Sequence, residues 1–157
     1  MRRVWILNGP NLNLLGEREP EIYGTATLDD HVASARAVAE THGLTLEHLQ
    51  SNHEGELIDR LHEARRGADG LVLNPGGLTH TSIALRDAVA LTGLPAVEVH
   101  LTNLARREPF RRRSLIAAVS WGSIAGLGPA GYLLAVRALG HYFQTHAQPG
   151  QPLSGSG

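Results

Sequence analysis

The stretch LVLNPGGLTHTSIALRD, residues 71–87, decides the fold. It begins as an apolar strand, stops at Asn74, turns through Pro75, Gly76 and Gly77, and enters a helix through Thr79, His80, Thr81 and Ser82. The first backbone N–H groups of such a helix lack intrahelical partners, so the turn reads as an anion site. In an open parallel sheet, ligands bind beyond the carboxyl ends of the strands, which makes polar side chains placed there the leading functional candidates.

Working outward, the same strand, turn and helix pattern recurs. Residues 4–7 (VWIL) are a buried strand stopped by Asn8, Gly9, Pro10 and Asn11. Residues 12–24 (LNLLGEREPEIYG) have no clear period and the length of a lid. Thr27 reads as an N-cap with Asp30 three residues on, and Leu28, Val32, Ala35, Val38 and Ala39 form a helical stripe that ends at Gly43. Residues 44–49 (LTLEHL) alternate as a strand at or near a sheet edge, and residues 51–54 open a helix that packs through Leu57, Ile58, Leu61 and Ala64. Beyond the central stretch, Gly93 and Pro95 stop the helix, and residues 96–100 (AVEVH) form a fourth strand. A fifth strand is expected over 119–125 and a last helix over 130–146, packed through Leu133, Leu134, Val136 and Leu139. The Pro-, Gly- and Ser-rich tail, 147–157, is expected to be disordered, leaving residues 1–146 as one domain.

Five alternations predict an α/β fold: a flavodoxin-like, doubly wound, five-stranded parallel sheet of order 2-1-3-4-5 with helices on both faces. The switch point then lies between strands one and three. Asn8, Gly9 and Asn11 end one strand, Asn74 to Gly77 follow the other, and His100 ends its neighbour, so three polar clusters converge beneath the lid.

Composition removes several chemistries. The chain of 157 residues has no cysteine, and all 14 basic residues are arginine, which excludes thiolate and lysine Schiff-base chemistry. A net charge of −1 argues against nucleic-acid binding, and no apolar stretch suits a signal peptide or membrane span; a cytoplasmic protein is expected. The chain has no Walker A sequence, no G-x-S-x-G elbow, no H-E-x-x-H and no dinucleotide fingerprint, and His42, His53 and His62 lack a metal-site arrangement.

The candidates that remain are few. Asn11 and Asn74 are turn residues or ligand contacts, and their joint place at a switch point favours the latter. His80 stands at a helix entry as either a turn or a ligand residue. Glu98 and His100 share one strand face, where the pair would hold an imidazolium or form a buried salt link. Tyr23 and Arg18 lie in the lid, and a tyrosine beside an arginine can serve as a base where water is excluded. Among Arg106, Arg107, Arg111, Arg112 and Arg113, ordinarily a solvated face, a few near the crevice would recognise carboxylate or hydroxyl groups.

Over residues 3–146 the chain resembles the type II 3-dehydroquinate dehydratases. The resemblance rests on ILNGPNLNLLG (6–16), REPEIYG (18–24), SNHEGELID (51–59), LNPGGLTHTSIALRDA (73–88) and VEVHLTN (97–103), in that order and spacing. It implies dehydration of 3-dehydroquinate to 3-dehydroshikimate, in the shikimate pathway of aromatic amino acid biosynthesis, by anti elimination through an enolate without metal or cofactor. By the same resemblance, Tyr23 is the base at C2, Arg18 favours its phenolate, and Asn11 places a water that stabilises the enolate. His100, held by Glu98, protonates the departing C1 hydroxyl. Asn74 and the backbone N–H groups of Leu101 and Thr102 bind the carboxylate; His80, Arg111 and a neighbouring subunit's Asp87 read ring hydroxyls or steady the lid. The implied assembly is a homo-oligomer, a dodecamer built as a tetramer of trimers. Ala105, Leu115 and Trp121 depart from the family pattern at positions that are not catalytic.

Two other readings compete. A flavodoxin-like small-ligand binding module would explain the fold but not Tyr23, Arg18 and His100, and a receiver domain would need an acidic cluster and a lysine that are missing. An arginine patch for nucleic acid would need basic excess and interleaved aromatics.

Overall fold

The computed structural model describes residues 1–17 and 19–146. Arg18 and the tail 147–157 therefore lie outside the described residues. In chain order the elements are β1 (Arg2–Asn8), α1 (Pro20–Tyr23), α2 (Leu28–Thr41), β2 (Leu44–Gln50), α3 (Glu54–Gly67), β3 (Gly70–Asn74), α4 (Ile83–Thr92), β4 (Ala96–His100), β5 (Gly122–Ala125) and α5 (Ala130–Thr145). Every strand pair is parallel and the order is β2-β1-β3-β4-β5, so the expected topology holds.

Alternation of side chains across the sheet divides the core in two. Val4, Ile6, Val72, Val97 and Val99 meet Val32 and Ala35 of α2 and Val136 and Leu139 of α5. On the other face, Trp5, Leu7, Leu71, Leu73 and Ala96 meet Leu57 and Leu61 of α3 and Leu85 and Val89 of α4. Covering both faces is why β3 and β4 are buried along their whole length, whereas the edge strand β2 still exposes Thr45 and Glu47. The start of α2 is a capping box: Asp30 N–H donates to Thr27 Oγ1 and Thr27 N–H to Asp30 Oδ2.

Several boundaries differ from the sequence reading. After β3, residues Gly76–His80 form a 3-10 turn, and α4 begins only at Ile83, where Ser82 Oγ accepts the Leu85 N–H at 2.9 Å. The Gly76 N–H goes to Asn74 Oδ1 at 3.2 Å. Of the N–H groups expected to form an anion site, those of Gly76 and Leu85 are thus used internally, by the turn and by the cap. The segment after β1 contains a 3-10 turn, Leu12–Leu14, and the short α1. β5 is shorter than expected, because Ala117–Val119 form a 3-10 turn and pairing with β4 starts at Gly122. On α5 the buried face is Tyr132, Ala135, Val136 and Leu139, whereas Leu133 and Leu134 are half-buried. Trp121 is exposed and packs edge-on against Tyr142, with ring centres 4.9 Å apart.

At the switch point the strand ends press together. Gly9 N–H donates to Asn74 O at 2.8 Å, and Ser51 N–H to Asn8 O at 3.0 Å. A Cβ on Gly9 would lie 2.3 Å from the Pro75 carbonyl oxygen, so only glycine permits this approach.

Candidate active site

Between the carboxyl ends of β1, β3 and β4 lies a crevice of about 140 Å³. Asn11, Tyr23, Asn74, His80, His100, Leu101, Thr102, Arg107 and Arg111 all line it. A larger, shallower groove of about 800 Å³ between α3 and α4 involves His62, Glu63, Arg65, Arg66, Leu91 and Thr92. It lies away from the strand ends and from the buried polar groups gathered at the crevice, so the smaller cavity is the candidate active site.

The acid–base core is built on β4. Glu98 and His100, two residues apart on one strand face, bring His100 Nε2 to 2.7 Å from Glu98 Oε2. A carboxylate can only accept, so Nε2 carries the proton and Nδ1 is the ring nitrogen left for a substrate. Glu98 is 1 % exposed, and burial alone would raise its carboxyl. Hydrogen bonds from His100, Thr79 and Ser114, together with the charge of His100, outweigh burial and hold it below the usual carboxylate range. Thr79 Oγ1 donates to Oε2 at 2.6 Å and Ser114 Oγ reaches both carboxylate oxygens at 2.9 and 2.7 Å. Sequence reasoning missed both hydroxyls, since nothing local ties Ser114 to a strand 16 residues earlier.

Tyr23, at the end of α1, faces Arg107 from the loop after β4. Arg107 Nη2 donates to the Tyr23 hydroxyl at 3.3 Å, its guanidinium carbon lies 5.5 Å from the ring centre, and Nη1 donates to Thr102 Oγ1 at 3.2 Å. Within the arginine run the fold thus selects Arg107 for the tyrosine. Arg111 reaches the crevice from the next turn, its Nε 3.0 Å from Glu108 Oε2.

His80 Nδ1 lies 2.8 Å from the Arg113 carbonyl oxygen, so Nδ1 donates. Its ring lies 6.5 Å from that of His100, inclined by 23°. Asn11 adopts a left-handed backbone (φ 70°), and its N–H donates to Asn52 Oδ1 at 3.0 Å. Asn74 is almost fully buried; its amide nitrogen donates to the Tyr132 hydroxyl at 2.9 Å. Asp87 is not among the crevice residues; it is exposed on α4. Among the described residues, no group of three His, Asp or Glu side chains is placed to hold a metal ion.

A histidine–carboxylate pair and an arginine-attended tyrosine, facing one crevice at the switch point of a parallel sheet, define an acid–base enzyme of flavodoxin-like fold. The model of the dehydroquinase class II family matches residues 2–140, and the chain belongs to that family. It is 60 % identical over 137 residues, 87 % of this chain and 91 % of the relative, to "3-dehydroquinate dehydratase 1" of Corynebacterium efficiens. It is 50 % identical over 146 residues, 93 % of this chain and 97 % of the relative, to "Catabolic 3-dehydroquinase" of Aspergillus clavatus. Its fold superposes on a type II dehydroquinase crystal structure from Butyrivibrio crossotus with a TM-score of 0.85 at 41 % identity, covering 88 % of this chain and 97 % of that one.

Proposed function

We propose that this chain dehydrates 3-dehydroquinate to 3-dehydroshikimate by anti elimination through an enolate, a lyase step of the shikimate pathway. The observation that carries the reading is the convergence of Tyr23, attended by Arg107, and His100, tied to Glu98, on one crevice in a chain of this family. Tyr23 as phenolate removes a proton from C2, alpha to the ketone. A guanidinium at the hydroxyl is the kind of group that stabilises a phenolate; Arg107 is placed for it, and Arg18 is assigned the same task by resemblance. The electron pair moves into the ketone, and the resulting enolate oxygen is stabilised by a water that Asn11 positions. The enolate then reforms the ketone while the C1 C–O bond breaks, and His100, as an imidazolium with Nε2 held by Glu98, gives the proton on Nδ1 to the departing hydroxyl, which leaves as water. Asn74 and the N–H groups of Leu101 and Thr102 hold the carboxylate; His80 and Arg111 read the ring hydroxyls.

The assembly belongs to the same proposal. Ile83, Asp87 and Leu91 recur every four residues on α4, a spacing that puts them along one stripe, and Ile83 and Leu91 are each 64 % exposed. That stripe suits burial against a second copy, with Asp87 entering a neighbour's site in a trimer and trimers assembling further into a dodecamer. A cytoplasmic location fits this reaction, and among the described residues no helix is long and apolar enough to cross a membrane.

The test follows the conjugated enone in ultraviolet absorbance after adding 3-dehydroquinate. The parent chain should give steady enone formation and Tyr23→Phe essentially none, while still binding substrate through the remaining contacts. Silence from the parent would favour a binding module.

A further inference from the structure

Behind the crevice, a chain of side chains, half-buried at His48 and buried beyond it, runs from β2 through β1 and α5 to Asn74. Its direction follows from one fixed donor. The Gly76 backbone N–H can only donate, and it holds Asn74 Oδ1 at 3.2 Å. The Asn74 amide nitrogen must then face the Tyr132 hydroxyl, 2.9 Å away, and donate to it. A phenol has a single proton, so Tyr132 spends its own on Asn8 Oδ1 at 2.5 Å. The amide nitrogen of Asn8 is left facing His48 Nε2 at 3.0 Å, which has to accept. His48 is thereby required to be neutral, with its proton on Nδ1.

We propose that Tyr132 is a positioning residue for the active site: with Asn8 and neutral His48 behind it, its hydroxyl fixes the Asn74 side-chain amide so that the second N–H of that amide serves the substrate carboxylate. The proposal rests on Asn74 holding that carboxylate. Tyr132 is fully buried, and burial pushes its hydroxyl well above the ordinary phenol value, so the hydroxyl remains a donor across the working range of pH.

The same chain transmits a proton. A proton on His48 Nε2 would set donor against donor at Asn8. Turning the Asn8 amide over would relieve that contact but present its nitrogen to Tyr132, whose proton would then point at Asn74 and meet another N–H. Relieving this contact turns Asn74 over and takes Oδ1 away from Gly76. The groups that face His48 are Asn8 from β1 and Asp29 and Arg36 from α2. Burial lowers its basicity, the Asp29 carboxylate raises it and Arg36 lowers it, for a net downward shift. His31, also on α2, packs on the Tyr132 ring with centres 5.5 Å apart and is likewise lowered by burial, so the test must separate the two imidazoles.

The experiment measures KM and kcat for 3-dehydroquinate from about pH 5.5 to 8, the range in which histidine titrates. The parent is compared with His48→Gln, Tyr132→Phe and Asn74→Ala. His48→Gln keeps an acceptor for Asn8 that cannot titrate. It should match the parent KM at the alkaline end and lose the part of the acid-side rise that His48 causes. Tyr132→Phe, nearly isosteric, should raise KM about tenfold to a hundredfold, the worth of a hydrogen bond to a charged group, with little change in kcat. Superimposable KM profiles for the parent and His48→Gln overturn the proposal, and this arm stands even if Tyr132→Phe does not fold. A raised KM in Asn74→Ala with a parental KM in folded Tyr132→Phe overturns the positioning role alone. An unchanged KM in Asn74→Ala removes the underlying assignment of Asn74 to the substrate.

Discussion

A carboxylate that is 1 % exposed in the middle of a parallel sheet would be a liability without partners, and Glu98 shows what partners accomplish. Its oxygens accept from Thr79, Ser114 and His100, so the charge is stabilised where it orients an imidazole. The linkage has a definite sign. An unfolded glutamate titrates near about pH 4.3, and the folded carboxyl lies lower, so the folded state binds fewer protons between the two values. Stability from this group is complete above the unfolded value and is lost as pH falls through the folded one. Urea midpoints below about pH 4.5 should therefore decline more steeply for the parent than for Glu98→Gln; parallel curves would show that Glu98 is not responsible. For the reaction, His100→Ala should lower kcat by about 10²–10⁴-fold, the usual worth of general acid catalysis, and a near-parental kcat would remove His100 from the acid role. At this scale the sequence exposed Glu98, His100, Tyr23 and the two asparagines, because each sits beside a strand end or in a motif. It did not single out Arg107 from the five arginines within residues 106–113, nor expose Tyr132, whose hydroxyl finds meaning only against Asn8 and Asn74.

At the level of elements, the strands were legible where both faces are covered. β3 reads as an unbroken apolar run ending in Asn74 and β4 as an apolar run interrupted only by Glu98 before it ends in His100, and their boundaries came out as expected. β5 did not, because it lies at the sheet edge and its expected start, Val119, closes the 3-10 turn Ala117–Val119, so that pairing begins only at Gly122. α5 was placed correctly and Val136 and Leu139 face inward as expected, but Leu133 and Leu134 are half-buried, and Tyr132 and Ala135 share the inward face instead. The close approach of the β1 and β3 turns gives a direct test. In Gly9→Ala the new Cβ would collide with the Pro75 carbonyl, a backbone atom that cannot swing aside. The variant should lose about 1–3 kcal/mol in urea denaturation, the range for overpacking, and raise KM as Asn11 and Asn74 shift. Parental stability and KM together would show that the turns yield without consequence.

For the whole molecule, the sheet order followed from the alternation of elements, and the family was legible from motifs spread over most of the chain. The assembly is a different matter, because one chain's sequence shows a stripe such as Ile83, Asp87 and Leu91 without showing what covers it. The proposed trimer-based oligomer predicts that sedimentation at assay concentration gives a multiple of three chains and that Asp87→Arg both dissociates it and depresses activity. A fully active monomer would rule that out.

The hydrogen bond from Tyr132 to Asn8 joins residues 124 positions apart, and Asn74 is oriented by that same hydroxyl. During synthesis, β1 through β4 leave the ribosome well before residue 132 does, so most of the sheet can be in place while the back wall of the crevice is still missing. A nascent chain halted before α5 would carry Tyr23, Glu98 and His100 and yet lack the group that aims Asn74. The hydrogen bonds that orient Asn74 and Asn8 therefore wait for the final helix, which follows every residue assigned to the chemistry.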